Sequence, residues 1–407
     1  PPPPPPPRIV KNLSQQLISE MPTPYCGLYP KIHAFLNLWL AFKQAARGKR
    51  SHPSVAYFEY NLESELIALQ TELREGAYFP RGYRTFTVHD PKRRRISAAP
   101  FRDRVVHHAL INVIGPLLER QFIHDSYANQ IGKGTHAALD RCTYFLRRYR
   151  YVLPCDVKQF FPSIDHTILR EILGQTIGDA ETMTLINRVL ASGVGVLVDE
   201  YDPVYFPGDD PSTLPSVAGP GLFSTARPSK TPEAQRRGRG LPIGNLTSQF
   251  WANVYLNQLD QFIKRNLKAA AYVRYVDDFL LFADDKETLR EWRVGVIEQL
   301  AALRLTAHEN SAQPHPCAVG TPFLGFIVFP DHRRLKPRKG YAFRRRFKSM
   351  LAAYRVDELE RAQLDASVRG WVNHARHGDT WGLRRAILGS FKVMPHGHRD
   401  STPISSV

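Results

Sequence analysis

The chain has 407 residues, enough for two or three domains with cores of their own. Hydrophobic residues make up 43% and charged residues 23%, a globular composition that excludes disordered and fibrous classes. The net charge is +17, spread along the chain rather than held in one tail, and favours a polyanionic partner, above all nucleic acid. No run of ~18 apolar residues is present, so no membrane partner is expected. Cys26, Cys142, Cys155 and Cys317 form no CxxC pair. They suit free thiols in a reducing cytoplasm, and no zinc site is expected.

Residues 1–30 read as an N-terminal tail that opens on seven prolines, expected as extended polyproline II. From about Phe35 to Ala77 the apolar spacing is helical, with glycine stops. The stretch RTFTVHDPKRRRISAAP reads as a hairpin turning at Asp90-Pro91 and displaying Lys92, Arg93, Arg94 and Arg95. A helix over DRVVHHALINVIGPLLERQF and a short basic helix over RCTYFLRRYR follow. YVLPCDVKQFFPSI is a strand with Asp156 near its end, and residues 166–194 are helical. Residues 201–239, rich in proline, glycine and serine, read as a loop insertion. Order returns with a turn and a long helix over LPIGNLTSQFWANVYLNQLDQFIKRNL. The hairpin YVRYVDDFLLF is next, its turn expected at the two acids. Beyond it come a helix over 286–303, a strand over PFLGFIVFP, and a basic helical region over about 336–392.

Asp277 and Asp278 lie inside an apolar, β-prone run. Two adjacent aspartates are commonly a solvated surface turn. Here apolar strands flank them, and a buried charge must find a partner, shift its pKa or bind a metal. Asp156 stands at another strand end about 120 residues earlier. The chemistry that needs such a set is phosphoryl transfer by two Mg²⁺ ions about 3.5–4 Å apart. Mg²⁺ takes oxygen ligands and keeps waters, so two or three carboxylates plus substrate phosphates suffice.

The ordered motifs DVKQFFPSIDH, LPIGNLTSQFWANVYLN and YVDD resemble the palm motifs of reverse transcriptases, and TPFLGFIVFP resembles their later hairpin that grips the primer. RRRISAAPFRDRVVHHAL and VNHARHGDTWGLRRAIL resemble the fingers and thumb segments of the bacterial group. The resemblance implies an α+β right-hand polymerase: fingers over 31–150, palm over 151–335 with the 201–239 insertion, thumb over 336–392, and a C-terminal tail over 393–407. It implies that Asp156, Asp277 and Asp278, with Val157 beside them, hold two Mg²⁺ ions, with Mn²⁺ able to substitute. Phe161 matches the aromatic gate that excludes a ribose 2′-OH. Lys92, Arg94 and Arg95 match the positions that grip the incoming triphosphate. Ile243, Gly244 and Gln249 fall at the nucleotide, and Arg104, Gly325 and Trp371 at the nucleic acid.

The chain departs from the common pattern in having Ile243-Gly244 for Gln-Gly and Ser248-Gln249 for Ser-Pro. The form IGNLTSQ resembles enzymes of diversity-generating retroelements and related defence-associated reverse transcriptases. In the retroelement group an apolar residue at this position accompanies error-prone copying of adenines. The lysine that commonly follows the YxDD helix is absent from LRLTAHENSAQPH, where Ser311 fills the slot; His308 is expected to face solvent, with protonation of the leaving group as the alternative. No acid set for RNase H and no HNH-like Cys/His cluster is visible. The expected function is RNA-directed DNA synthesis from dNTPs on a template RNA, giving cDNA, in a retroelement. The resemblance adds a structured non-coding RNA and a small helical accessory protein as partners. An anti-phage enzyme acting with a non-coding RNA and a non-catalytic RNA-binding scaffold stand as alternatives.

Overall fold

The computed structural model describes residues 23–89, 93–202, 204, 206 and 238–390. Lys92 and the expected Asp90-Pro91 turn, the proline run, nearly all of the 201–239 insertion and the 393–407 tail lie outside the described residues. The fold is α+β with antiparallel sheets. The chain divides into two compact units built from interleaved stretches. Pro1–His124, Val157–Lys268 and Gly295–Ala307 make the first; Asp125–Asp156, Ala269–Val294 and His308–Val407 make the second.

In the first unit the helices Phe35–Ala46, Pro53–Tyr60 and Leu62–Arg74 gather with Phe101–Glu119. The Phe35–Ala46 helix buries Leu38, Ala41, Phe42, Ala45 and Ala46, the three-to-four spacing of one helical face. Phe58 meets Phe101 edge to face at 5.1 Å and stacks on Phe42 at 5.7 Å. The basic hairpin pairs Arg84–His89 with Arg93–Ala98, in register from Arg84↔Ala98 to His89↔Arg93. The helix Leu246–Arg265 is buried on most of its surface and packs on Phe101–Glu119 and His166–Gly174.

The expected N-terminal tail is shorter than read from sequence. Tyr25 donates its N–H to Thr176 O at 2.8 Å, and the Asp179 carboxylate accepts the N–H groups of Leu28 and Tyr29 at 2.7 and 2.8 Å. Leu28 and Tyr29 are buried there, so residues 25–30 are part of the folded unit. Those amide bonds hold the Asp179 carboxyl below its ordinary range against the opposing effect of burial.

The second unit carries a four-stranded antiparallel sheet. Its strands run Tyr272–Tyr275, Asp278–Ala283, Tyr151–Cys155 and His315–Pro316 in spatial order. The helix Thr135–Leu146 packs on the first two of these strands. The stretch PFLGFIVFP, a strand by its apolar run and a hairpin by its resemblance, is a hairpin: Thr321–Phe323 and Phe326–Val328 turn through Leu324 and Gly325 at φ +46° and +90°. Arg333–Leu335 adds a third strand. The helices Pro337–Arg355, Arg361–Ala375 and Trp381–Gly389 close the unit. Among the described residues no helix is long and apolar enough to cross a membrane.

One buried charge ties two stretches of the first unit. The Asp165 side chain is fully buried and caps the His166–Gly174 helix by accepting from the N–H groups of Thr167 and Ile168 at 2.9 and 3.2 Å. Its other oxygen lies 3.6 Å from Arg304 Nε, while the Asp165 backbone forms an isolated antiparallel bridge with Arg239. Asp165→Ala should cost about 3–5 kcal/mol, the scale of breaking a buried ion pair. Asp165→Asn, which still accepts from both amides, should cost clearly less. Thermal melting by circular dichroism compares the two; equal losses would assign the cost to packing alone.

Candidate active site

Two sets of candidate residues occur, one in each unit. In the second unit the strands 151–155 and 278–283 pair up to Cys155↔Phe279. The next residues along that register are Asp156 and Asp278. On the other side Asp278 pairs with Tyr275, so the hairpin turns through Val276 and Asp277. The turn therefore lies one residue earlier than expected, and Asp278 opens the returning strand. All three acids stand at one end of the two central strands, Asp156 and Asp277 half-buried and Asp278 exposed.

The turn is strained. Val276 takes φ +57°, a left-handed value that a β-branched residue adopts only at a cost of about 1–3 kcal/mol. Arg274 holds it. Its side chain is fully buried, and its guanidinium donates to Val276 O at 3.0 Å. The Arg274 backbone is fixed as well: its N–H donates to Asp125 O and its carbonyl accepts from Tyr127 N–H, both at 2.9 Å. Arg141 in turn grips the Asp125 carboxylate with two bonds, at 2.7 and 3.3 Å.

His308 sits beside this set rather than simply in solvent. Its N–H donates to Asp156 O at 2.9 Å and its Nε2 lies 3.9 Å from the Asp156 carboxylate, with half of the ring exposed. Among the described residues no three His, Cys, Asp or Glu side chains converge as a ready metal cage. The donor set fits Mg²⁺ nonetheless. It consists of carboxylate oxygens, and Mg²⁺ is held by one or two carboxylates completed by water and substrate phosphate.

In the first unit the turn at 242–245 is sewn to the second strand of the basic hairpin. Ser97 N–H donates to Ile243 O at 2.9 Å, and Ala99 N–H to Asn245 Oδ1 at 2.9 Å. Asn245 Nδ2 donates to Ser97 O and Pro242 O at 2.8 and 3.0 Å. Leu241 N–H donates to Phe161 O at 2.9 Å, which brings half-buried Phe161 to the same turn. Arg94 is exposed on the hairpin, and Arg95 lies 3.5 Å from the Asp199 carboxylate. Gln249 is exposed on the first turn of the 246–265 helix. Arg104 is half-buried, its Nε donating to Ala99 O at 2.8 Å. Buried Val157 opens the short strand Val157–Lys158, paired with Thr306–Ala307.

Trp371 is 8% exposed and stacks on Phe343 at 4.1 Å, so its ring packs among the C-terminal helices. Gly325 turns at φ +90°, and a Cβ there would lie 3.4 Å from Lys339 Cε and 3.8 Å from His374 Nε2. Sequence reasoning missed Arg274 and Asn245. A charge at an inward strand position in YVRYV, and an asparagine just before a helix start, were the available signals.

Residues 89–328 match the family described as reverse transcriptase (RNA-dependent DNA polymerase), more than half of the chain. The chain belongs to that reverse transcriptase family. Among curated relatives it is 26% identical over 322 residues to protein YkfC of Escherichia coli K12, covering 69% of this chain and 74% of YkfC. It is 23% identical over 263 residues to the group II intron-encoded protein LtrA of Lactococcus lactis subsp. cremoris, covering 63% of this chain and 37% of LtrA. A Cas6-RT-Cas1–Cas2 complex is similar at 17% identity and a TM-score of 0.35, over 67% of this chain and 42% of that one.

Gly244 shows how tightly the turn and hairpin fit. Its φ is +112°, and a Cβ there would sit 2.8 Å from Ile96 Cγ2. Gly244→Ala should lower stability by about 1–3 kcal/mol through backbone strain alone, with the clash added. Adding Ile96→Ala should recover the clash part and leave the strain. Melting of both variants measures the recovery, and a double variant no better than the single one would disprove the contact.

Proposed function

We propose that the chain copies an RNA template into cDNA by two-metal nucleotidyl transfer. The observation that carries this reading is the placement of Asp156, Asp277 and Asp278 at one end of the central strands. Bound divalent ions, Mg²⁺ or in its place Mn²⁺, would activate the primer 3′-oxygen and stabilise the leaving pyrophosphate. The protein's part is to fix the carboxylates. The Arg274-held turn keeps Asp277 and Asp278 at the strand end, and the sheet register brings Asp156 alongside.

Lys92, Arg94 and Arg95 serve the triphosphate, as guanidinium and ammonium groups suit phosphate oxygens. Phe161 acts as the gate against the 2′-OH. Arg104 and Gly325 serve the nucleic acid. In hand terms residues 31–150 are fingers, 151–335 palm and 336–392 thumb. The similarity to a group II intron-encoded protein supports structured RNA as a partner. The chain's own residues Ile243-Gly244 and Ser248-Gln249 favour a diversity-generating retroelement, working with a structured RNA and a small helical accessory protein in the cytoplasm. An anti-phage enzyme would use the same chemistry on another product.

Asp277→Asn should abolish dNTP incorporation while folding and RNA binding stay near wild type, because the amide keeps the shape and loses the charge. Asp156→Asn should behave alike. Primer extension in Mg²⁺ reads the result, and wild-type incorporation by either variant would sink the site.

Ile243 bears on the finer reading. Its side chain can contribute only shape at a templating pair. If a glutamine there restores one contact worth ~1.4 kcal/mol, Ile243→Gln should lower misincorporation at template adenine about tenfold. Deep sequencing of cDNA made by both proteins on one template measures this. Low and equal error at adenine in the wild type would move the weight to the defence role.

A further inference from the structure

An open cavity of about 330 Å³ lies in the second unit. Its walls come from Thr143 and Arg147 at the C-terminal end of the helix Thr135–Leu146, from the segment 331–333, and from the turn 376–379 between the last two helices. The volume falls at the lower end of small-molecule sites, ~300–1,000 Å³. None of the three proposed catalytic aspartates lines it. Arg147 comes shortly before Tyr151, where the central strand Tyr151–Cys155 starts, and Asp156 follows the opposite end of that strand. An extended stretch of that length spans roughly 16 Å.

The walls are fixed by bonds of their own. Arg333 Nε donates to Thr143 Oγ1 at 2.8 Å, and its Nη2 donates to the Asp140 carboxylate at 2.7 Å. Asp379 N–H donates to Arg333 O at 2.7 Å. Gly378 lies so close to that strand that a Cβ would sit 2.8 Å from Arg333 O and 2.9 Å from Phe326 Cε1. Thr380 Oγ1 donates to Ala375 O at 2.7 Å, and the His377 ring stacks on His136 with centroids 3.5 Å apart. The backbone that carries Arg376 and Asp379 is thus held before any ligand arrives, which lowers the ordering cost of binding.

The charges on these walls are not all answered. Arg333 is paired with Asp140, and the Asp331 carboxylate lies 2.8 Å from His332 Nδ1. Arg147 uses only its Nε, which donates to Pro330 O at 2.6 Å. Among the described residues Arg147 has no carboxylate partner, and the Arg376 guanidinium and Asp379 carboxylate have no hydrogen-bond or ion-pair partner. Arg147, Arg376 and Asp379 are all exposed.

We propose that this cavity binds a nucleotide, with its phosphates on Arg147 and Arg376 and its sugar hydroxyls on Asp379. Guanidinium groups match phosphate oxygens in charge and in donor geometry. A carboxylate can only accept, and the vicinal hydroxyls of a ribose are donors it can hold. Asp379 would repel an anion that has no such donors. Two arginines beside an unpaired aspartate therefore select a phosphate that carries hydroxyl groups over a bare anion. The site is independent of the polymerase reading, since none of the catalytic aspartates takes part in it.

The test is isothermal titration calorimetry of the full chain with ATP, in EDTA so that no divalent ion supports binding at the catalytic aspartates. The wild type should bind ATP, and Asp277→Asn should bind it equally well. Arg376→Ala should weaken ATP about tenfold, the scale of one charge-assisted hydrogen bond. Arg147→Ala should weaken it in the same direction. Asp379→Ala should weaken ATP and leave inorganic tripolyphosphate, which has no sugar, bound as well as before or more tightly. Without ATP, Arg376→Ala should melt with the wild type, because its guanidinium bonds to nothing among the described residues.

A wild type that binds no ATP in EDTA overturns the site. Wild-type affinity in both arginine variants puts the ATP elsewhere and overturns it as well. If Arg376→Ala melts lower than the wild type, Arg147→Ala decides between a binding and a structural role. Equal losses of ATP and tripolyphosphate in Asp379→Ala overturn the sugar contact and with it the nucleotide. A single-stranded RNA that displaces ATP from the wild type, and binds more weakly to Arg376→Ala, would give the cavity to RNA and overturn the free nucleotide. Failure to extend a primer bears on the polymerase reading alone, since ATP binding in EDTA is read without catalysis.

Discussion

The constraint on which the catalytic reading depends is the length of one turn. In a strand, neighbouring side chains point to opposite faces, so adjacent aspartates inside a strand cannot serve one site. The hairpin 272–283 escapes this by turning through Val276 and Asp277 alone, with Tyr275 already paired to Asp278. Asp277 is then in the turn and Asp278 in the strand, and the alternation is broken between them. A turn this short requires a left-handed residue, and the sequence supplies valine where glycine would be unstrained. The strain persists because Arg274 is buried beneath it and bonded to both the turn and the 125–127 segment. A short turn, a strained residue and a buried arginine are thus one device.

The same logic separates the two kinds of positive charge in the chain. Arg274, Arg141 and Arg102 are structural, held by carbonyl or carboxylate partners. The helix Pro337–Arg355 is different. It buries Phe343, Phe347, Leu351 and Tyr354 along one stripe and leaves Arg338, Lys339, Arg344, Arg345, Arg346 and Lys348 exposed. It contains no acid. Such a face gains little from neutral surroundings and much from a polyanion, through release of condensed counterions. The net charge of +17 is therefore informative only after the bonded arginines are set aside.

Much of this was legible in the sequence, and the rest was hidden for identifiable reasons. Helices with a clear apolar stripe, such as Phe35–Ala46, follow from spacing alone, and so does the basic hairpin. The strand carrying Asp156 and the YVDD hairpin were legible because apolar runs bracket the acids. The turn position was not, because nothing local marks Val276 as left-handed; Arg274 below it decides. The folding of residues 25–30 was hidden because its anchors, Thr176 and Asp179, lie about 150 residues away. The burial of Trp371 was not legible because its partner Phe343 comes from another helix.

The turn at 242–245 shows why a side chain in a polymerase can vary without harm to the fold. What fixes this turn is backbone and one asparagine: the Ile243 carbonyl accepts from Ser97, and Asn245 bonds to Ser97, Ala99 and Pro242. Gly244 is demanded by its φ and by Ile96. The Ile243 side chain, half-buried, takes part in none of these bonds. Its identity can therefore change what the turn offers to a ligand while the turn itself stays where it is. An isoleucine at such a point offers contact area and no directional bond, so at a templating pair discrimination would rest on the ~1–3 kcal/mol that shape alone supplies in a pocket. If Ile243 meets the templating pair as proposed, fidelity would be set by a residue the fold does not need, held in place by neighbours that it does.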